Sequence, residues 1–107
     1  MDDWKNIDLC GAASIEKEVY VFEIYGIDEV PHGKIKIKIM KEAKSKKFWG
    51  YSNVTYKDSS GNVNGIAGYG YDVTSALQDT LKEFKNSIPS NVPCTEENFE
   101  WADSETF

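Results

Sequence analysis

The side chains able to do acid–base or nucleophilic chemistry are few and scattered along these 107 residues. The single histidine, His32, lies in a loop from Gly26 to Gly33 with no evident partner close by in the sequence. Cys10 and Cys94 stand apart, without the paired spacing that zinc requires. Two reduced thiols are the simpler reading, and one disulfide between them is the alternative. Asp72 and Asp79 come closest to a carboxylate pair, but two acids on one helix usually serve solubility. No nucleophile–base pair and no metal cluster can be assembled, which argues against an enzyme and for a protein without cofactor or metal. Two groupings suit binding instead. Glu96, Glu97 and Glu100 interleave with Phe99 and Trp101 in an acidic-aromatic segment. Lys34, Lys36 and Lys38 alternate with isoleucines and can share a surface with Trp49, Tyr51, Tyr69 and Tyr71.

The elements that must position these groups are legible. Val73, Leu77, Leu81, Phe84 and Ile88 recur at helical spacing, with Ala76 and Thr80 on their flank. Asp72 can cap the free amides at the start, and Ser75 with Gln78 forms an alternative capping box. Pro89 stops the run, which predicts a helix over about 73–88. Before it, Gly65, Gly68 and Gly70 fall in a predicted strand, where glycine is costly unless something approaches closely. The favoured explanation is that Gly68 and Gly70 let the helix fold back flush on the sheet. The competing one, a backbone cradle for phosphate at the helix start, has Asp72 where the anion would sit.

Val19 to Ile24 alternates as a strand, and Lys34 to Ile39 does so cleanly, isoleucines inward and lysines outward. Phe48 to Lys57 predicts a third strand and Val63 to Tyr71 a fourth, joined by a turn at Asp58-Ser59-Ser60-Gly61-Asn62. The expected fold is therefore α+β: a four-stranded antiparallel β-meander with one long helix (about 73–88) packed on one face. Short helical turns are expected near both termini, within a single domain, 1–107, that ends in an acidic segment, 89–107. If Gly68 and Gly70 face the helix, Tyr69 and Tyr71 face outward beside the lysines. A register error of one residue would reverse this.

Charge is partitioned more sharply than the net −6 suggests. Residues 34–47 hold seven lysines and one acid, whereas 1–33 hold eight acids and two lysines. From 89 to 107 there are five acids and no base. All twelve basic residues are lysine, so arginine, the usual bidentate reader of phosphates and bases, is missing. The lysine ridge has roughly phosphate spacing, about 7 Å between lysines on one strand face, but the flanking acids oppose a polyanion. Direct nucleic-acid binding is not expected. No apolar run approaches a membrane span, and Met1-Asp2-Asp3-Trp4 does not begin as a signal peptide does. A cytoplasmic setting without membrane contact is the expectation. The open sheet face is also where two copies could meet as a homodimer.

The run Gly68-Tyr69-Gly70-Tyr71-Asp72-Val73-Thr74-Ser75-Ala76-Leu77, preceded by a hairpin, resembles a motif of small phage and prophage proteins whose β-meander turns through G-x-G-Y-D into a terminal helix. The resemblance covers roughly residues 48–88 and brings no catalytic residue with it. It implies a phage-encoded protein in a bacterial host cell, a setting in which small acidic proteins often inhibit host defence, as anti-CRISPR proteins do. The expected function is a non-enzymatic inhibitor that binds a basic nucleic-acid-binding protein, such as a nuclease or CRISPR effector. Glu96, Glu97, Phe99, Glu100 and Trp101 would form its contact. The alternatives are a nucleotide sponge using the Tyr69 and Tyr71 face, and an immunity protein against a toxic nuclease.

Overall fold

The computed structural model describes residues 3–12, 14–58, 60–61, 63, 65–90, 95–102 and 107. Two long strands, β1 (Glu16–Tyr25) and β2 (Lys34–Glu42), are followed by β3 (Phe48–Ser52), β4 (Val54–Tyr56) and β5 (Gly68–Gly70). The helix α1 (Val73–Ser87) comes next, and β6 (Phe99–Trp101) is the last element among the described residues. Short 3-10 turns lie at Asp3–Asn6, Pro31–Gly33 and Glu96–Asn98. The main sheet is antiparallel in the order β1-β2-β3-β5, with α1 across one face, and β4 pairs with β6 as a separate two-stranded ribbon. The fold is thus the expected α+β arrangement.

The Lys/Ile alternation of β2 sets the two faces. Ile35, Ile37 and Ile39 are fully buried under the helix, where cross-strand pairing places Phe22 and Ile24 of β1 beside them. The other parity carries Lys34, Lys36 and Lys38 to the uncovered face. The helix starts as its sequence dictates: the Asp72 carboxylate accepts the Ser75 backbone N–H at 2.7 Å, so Asp72, not the Ser75–Gln78 box, makes the cap.

The buried line of α1 joins one member of the bulky stripe, Phe84, to its small flank. Ala76, Thr80 and Phe84 are fully buried, whereas Val73, Leu77, Leu81 and Ile88 are half-buried around them. The glycines explain this. A Cβ on Gly68 would collide with the Thr80 backbone, and one on Gly70 would lie 2.5 Å from the Ala76 nitrogen. The strand approaches the helix backbone too closely for any side chain, so small residues meet glycines at the centre and larger ones pack outside. The glycines therefore serve helix–sheet packing, and the helix occupies the space a phosphate cradle would need.

Two strands differ from expectation. The run from Phe48 to Lys57 is not one strand, because it breaks at Asn53. There the Asn53 side chain accepts the Lys36 N–H at 2.8 Å while its own N–H reaches the Lys36 carbonyl at 2.9 Å. Ser52 Oγ donates to the Val54 carbonyl at 2.6 Å, and the chain leaves the sheet to pair as β4 with β6. A side-chain amide bridging to a neighbouring strand redirects the backbone in a way hydrophobic alternation does not register. The predicted strand Val63 to Tyr71 contracts to Gly68–Gly70, preceded only by an isolated Lys57–Val63 bridge at the hairpin. Three closely spaced glycines provide little side-chain packing to hold a longer strand.

Candidate functional site

The acidic-aromatic segment is a docked ribbon. After the 3-10 turn carrying Glu96 and Glu97, β6 pairs Phe99 with Tyr56, Glu100 with Thr55 and Trp101 with Val54. The Lys57 N–H donates to the Asn98 carbonyl at 2.8 Å and the Ala102 N–H to the Asn53 carbonyl at 2.7 Å, tying both ends. Phe99 is only 3% exposed and meets Tyr56 edge-on, with ring centroids 6.2 Å apart. Its assignment as a partner contact is therefore corrected: Phe99 belongs to the core and anchors the ribbon, because alternation along β6 turns it inward. Glu100 projects from the opposite side of the strand, exposed, and Trp101 is 36% exposed at its end. Glu96 and Glu97 are exposed on the turn.

His32 does have a partner, 64 residues away in sequence. Its Nε2 lies 3.0 Å from Glu96 Oε1, joining the acidic turn to the β1–β2 loop that also carries Asp28 and Glu29. Glu29 pairs with Lys85 at 3.1 Å, and the Lys85 ammonium, with the Glu29 backbone N–H, holds its carboxyl below the usual range. This contact was invisible in the sequence because only the β4–β6 pairing brings the two segments together.

The second candidate set also comes together. Lys34, Lys36, Lys38, Trp49, Tyr51 and Tyr69 share the sheet face opposite the helix, with Val21, Lys38 and Tyr51 in one cross-strand row and Met40, Trp49 and Tyr69 in the next. Trp49 and Tyr51 stack at 5.3 Å, Tyr69 is 57% exposed, and Tyr71, just past the strand, is 74% exposed. Acids of the flanking segment neutralise two lysines of the ridge. Lys34 pairs with Glu23 at 3.4 Å, and Lys38 lies 3.8 Å from Glu18. Hydrogen bonds from the Tyr25 hydroxyl and from Lys34 hold the Glu23 carboxyl below its ordinary value. Lys38, read as outward into water, is buried: its ammonium sits 4.6 Å from the ring centroid of Phe107, which also packs edge-on against Tyr51. A long lysine stem can lie under aromatic rings while its head stays near a carboxylate, so strand parity alone does not predict exposure.

The residues considered for acid–base chemistry are placed separately. The Asp72 carboxylate caps the helix, and that of Asp79 accepts the Tyr69 N–H at 2.9 Å, protecting part of the β5 edge. Both are committed to backbone amides and they do not form a dyad. Cys10 is exposed in a turn with φ of 52°, while Cys94 lies outside the described residues. Among the described residues no three histidine, cysteine or acidic side chains gather as metal ligands do, and no helix is long and apolar enough to cross a membrane. The sequence matches no protein-family model, no curated protein and no solved structure.

Proposed function

We propose that the chain is a phage-encoded, non-enzymatic inhibitor that occupies a basic surface on a nucleic-acid-handling protein of the bacterial host, as anti-CRISPR proteins do. The observation that carries this reading is the docked acidic ribbon. Glu97 and Glu100 are exposed and have no ion-pair partner among the described residues, and Phe99 fixes the backbone that displays them. Carboxylates held on an ordered ribbon lose less conformational entropy on binding than the same groups on a loose tail. Trp101 adds an exposed aromatic, the residue type that most often anchors protein interfaces. With a net charge of −6, the protein would be steered toward a cationic channel. The paired and partly buried lysines of the open face weigh against direct nucleic-acid binding.

The test is capture of partners from a bacterial lysate, followed by direct binding to the purified candidate. A basic nucleic-acid-binding protein should be retained by wild type, lost to a folded variant carrying Glu96→Lys, Glu97→Lys and Glu100→Lys, and blocked from its own nucleic acid. Equal binding by the triple variant would remove the ribbon from the interface. A second reading rests on its own observation: Lys47, Tyr69 and Tyr71 line a shallow surface cleft of about 190 Å³. A base stacked on the exposed tyrosines with its phosphate on Lys47 would make the protein a nucleotide sponge, and nucleotide co-purifying with the protein would favour that reading.

A further inference from the structure

At the far end of the helix-covered face, Lys17 of β1 stands directly opposite Lys41 of β2, and Lys41 opposite Phe48 of β3. Like charges placed across neighbouring strands repel, and a structure normally relieves them with a carboxylate. Here Lys34, Lys38 and Lys85 each have a carboxylate partner, whereas Lys17 has none among the described residues. Among the described residues Lys41 is held only by the neutral carbonyls of Glu42 and Ser45, with its ammonium 5.5 Å from the Phe48 ring centroid. The two lysines line a cleft of about 230 Å³ together with Trp4, Lys5, Val19 and Phe48, and no carboxylate lines it among the described residues. Trp4 closes one side, and its indole N–H is buried with no hydrogen-bond partner among the described residues, an arrangement native proteins usually avoid.

We propose that this cleft is a binding site for a small oxyanion carried on an apolar or aromatic body, an aryl carboxylate or aryl phosphate. The anion would bridge the Lys17 and Lys41 ammonium groups and relieve their repulsion, while the ring packs among Trp4, Val19 and Phe48. Lysine serves here as a point charge on a flexible stem, so the site selects charge and ring size more than the planar geometry arginine would read. The site is separate from the acidic ribbon and does not depend on the inhibitor reading.

The experiment is a titration of the full-length protein with benzoate and with phenyl phosphate, using benzyl alcohol as the neutral control. The Trp4 indole N–H resonance is followed, assigned by its loss in Trp4→Phe. A saturable shift with either anion, weakened by salt and at least about tenfold weaker in Lys17→Glu, is the expected result. The more tightly bound anion identifies the headgroup. The same substitution turns a repulsive pair into an attractive one, so Lys17→Glu should melt at a higher temperature than wild type and thereby show that it is folded. No saturable shift at about 10 mM of either anion overturns the proposal. So does an equal response to benzyl alcohol, or unchanged anion binding by Lys17→Glu.

Discussion

At the level of single residues, the protein depends on what is missing from Gly68. Its hydrogen atoms face the Thr80 backbone, which cannot move without shifting the helix, whereas Gly65 has nothing within 4 Å of the position a Cβ would take. Gly68→Ala should therefore lose about 3 kcal/mol or more in denaturant unfolding, and Gly65→Ala should lose almost nothing, within about 0.5 kcal/mol. Similar losses would show that the close approach is not what these glycines serve. Asp72 gives a pH signature. The Ser75 backbone N–H, and then its hydroxyl, hold the Asp72 carboxyl below the usual carboxylate range. Because the folded-state pKa is the lower one, this stabilisation is fully present above the unfolded value of about 4 and is lost as pH falls through the folded pKa. Asp72→Asn keeps a capping oxygen without the titration. The stability difference between wild type and this variant should shrink steadily below about pH 4 in urea melts. A constant difference would remove the charge from the cap.

At the level of elements, the helix and the ribbon are held by one phenylalanine each. Phe84 is fully buried beneath the sheet, and Leu81 is half-buried at its margin. Phe84→Ala should cost about 3–5 kcal/mol and Leu81→Ala about 2 kcal/mol. Reversal of that order would mean that the helix is rotated on the sheet. Phe99 does the same work for β6, through its contact with Tyr56. Phe99→Ala should cost about 3 kcal/mol and make residues 95–102 sensitive to brief proteolysis, leaving the β1–α1 body intact. Resistance to cleavage would show that the β4–β6 hydrogen bonds alone retain the segment. If the acidic ribbon is the contact, this variant should also bind a partner more weakly, although Phe99 would never touch it.

Across the whole molecule, the two sheet edges are unequal. The β5 edge is three residues long, and one of its amides is taken by Asp79. The β1 edge runs for ten residues, with Tyr20 54% and Val21 44% exposed, and its charges cluster at Glu16, Lys17 and Glu18 before a bulge between Glu18 and Tyr20. Beyond that bulge only Glu23 interrupts an apolar run up to Tyr25. Val21→Glu places an acid opposite Lys38, adding charge to the edge without creating a repulsive pair. It should leave unfolding stability within about 0.5 kcal/mol and raise the concentration at which light scattering detects association. Unchanged association would indicate that β1 is not the adhesive edge.

The sequence by itself determined the helix limits, the two-faced β2 strand and the α+β class, and offered Asp72 as one of two possible caps. These follow from local periodicity and from residues that act on backbone atoms a few positions away. It also carried the packing role of Gly68 and Gly70, because glycine in a strand is unfavourable unless a neighbour needs the space. What only the tertiary structure decided was the fate of groups whose partners are distant in the chain. Alternation could not show that Asn53 would bind Lys36 and split the third strand, or that Glu96 would reach His32. Nor could it show that Phe99 would be buried, or that Phe107 would cover Lys38. The candidate residues could be chosen from the sequence because their chemistry is intrinsic to each side chain. Their exposure, pairing and direction could not, because each depends on which surface the folded chain brings against them.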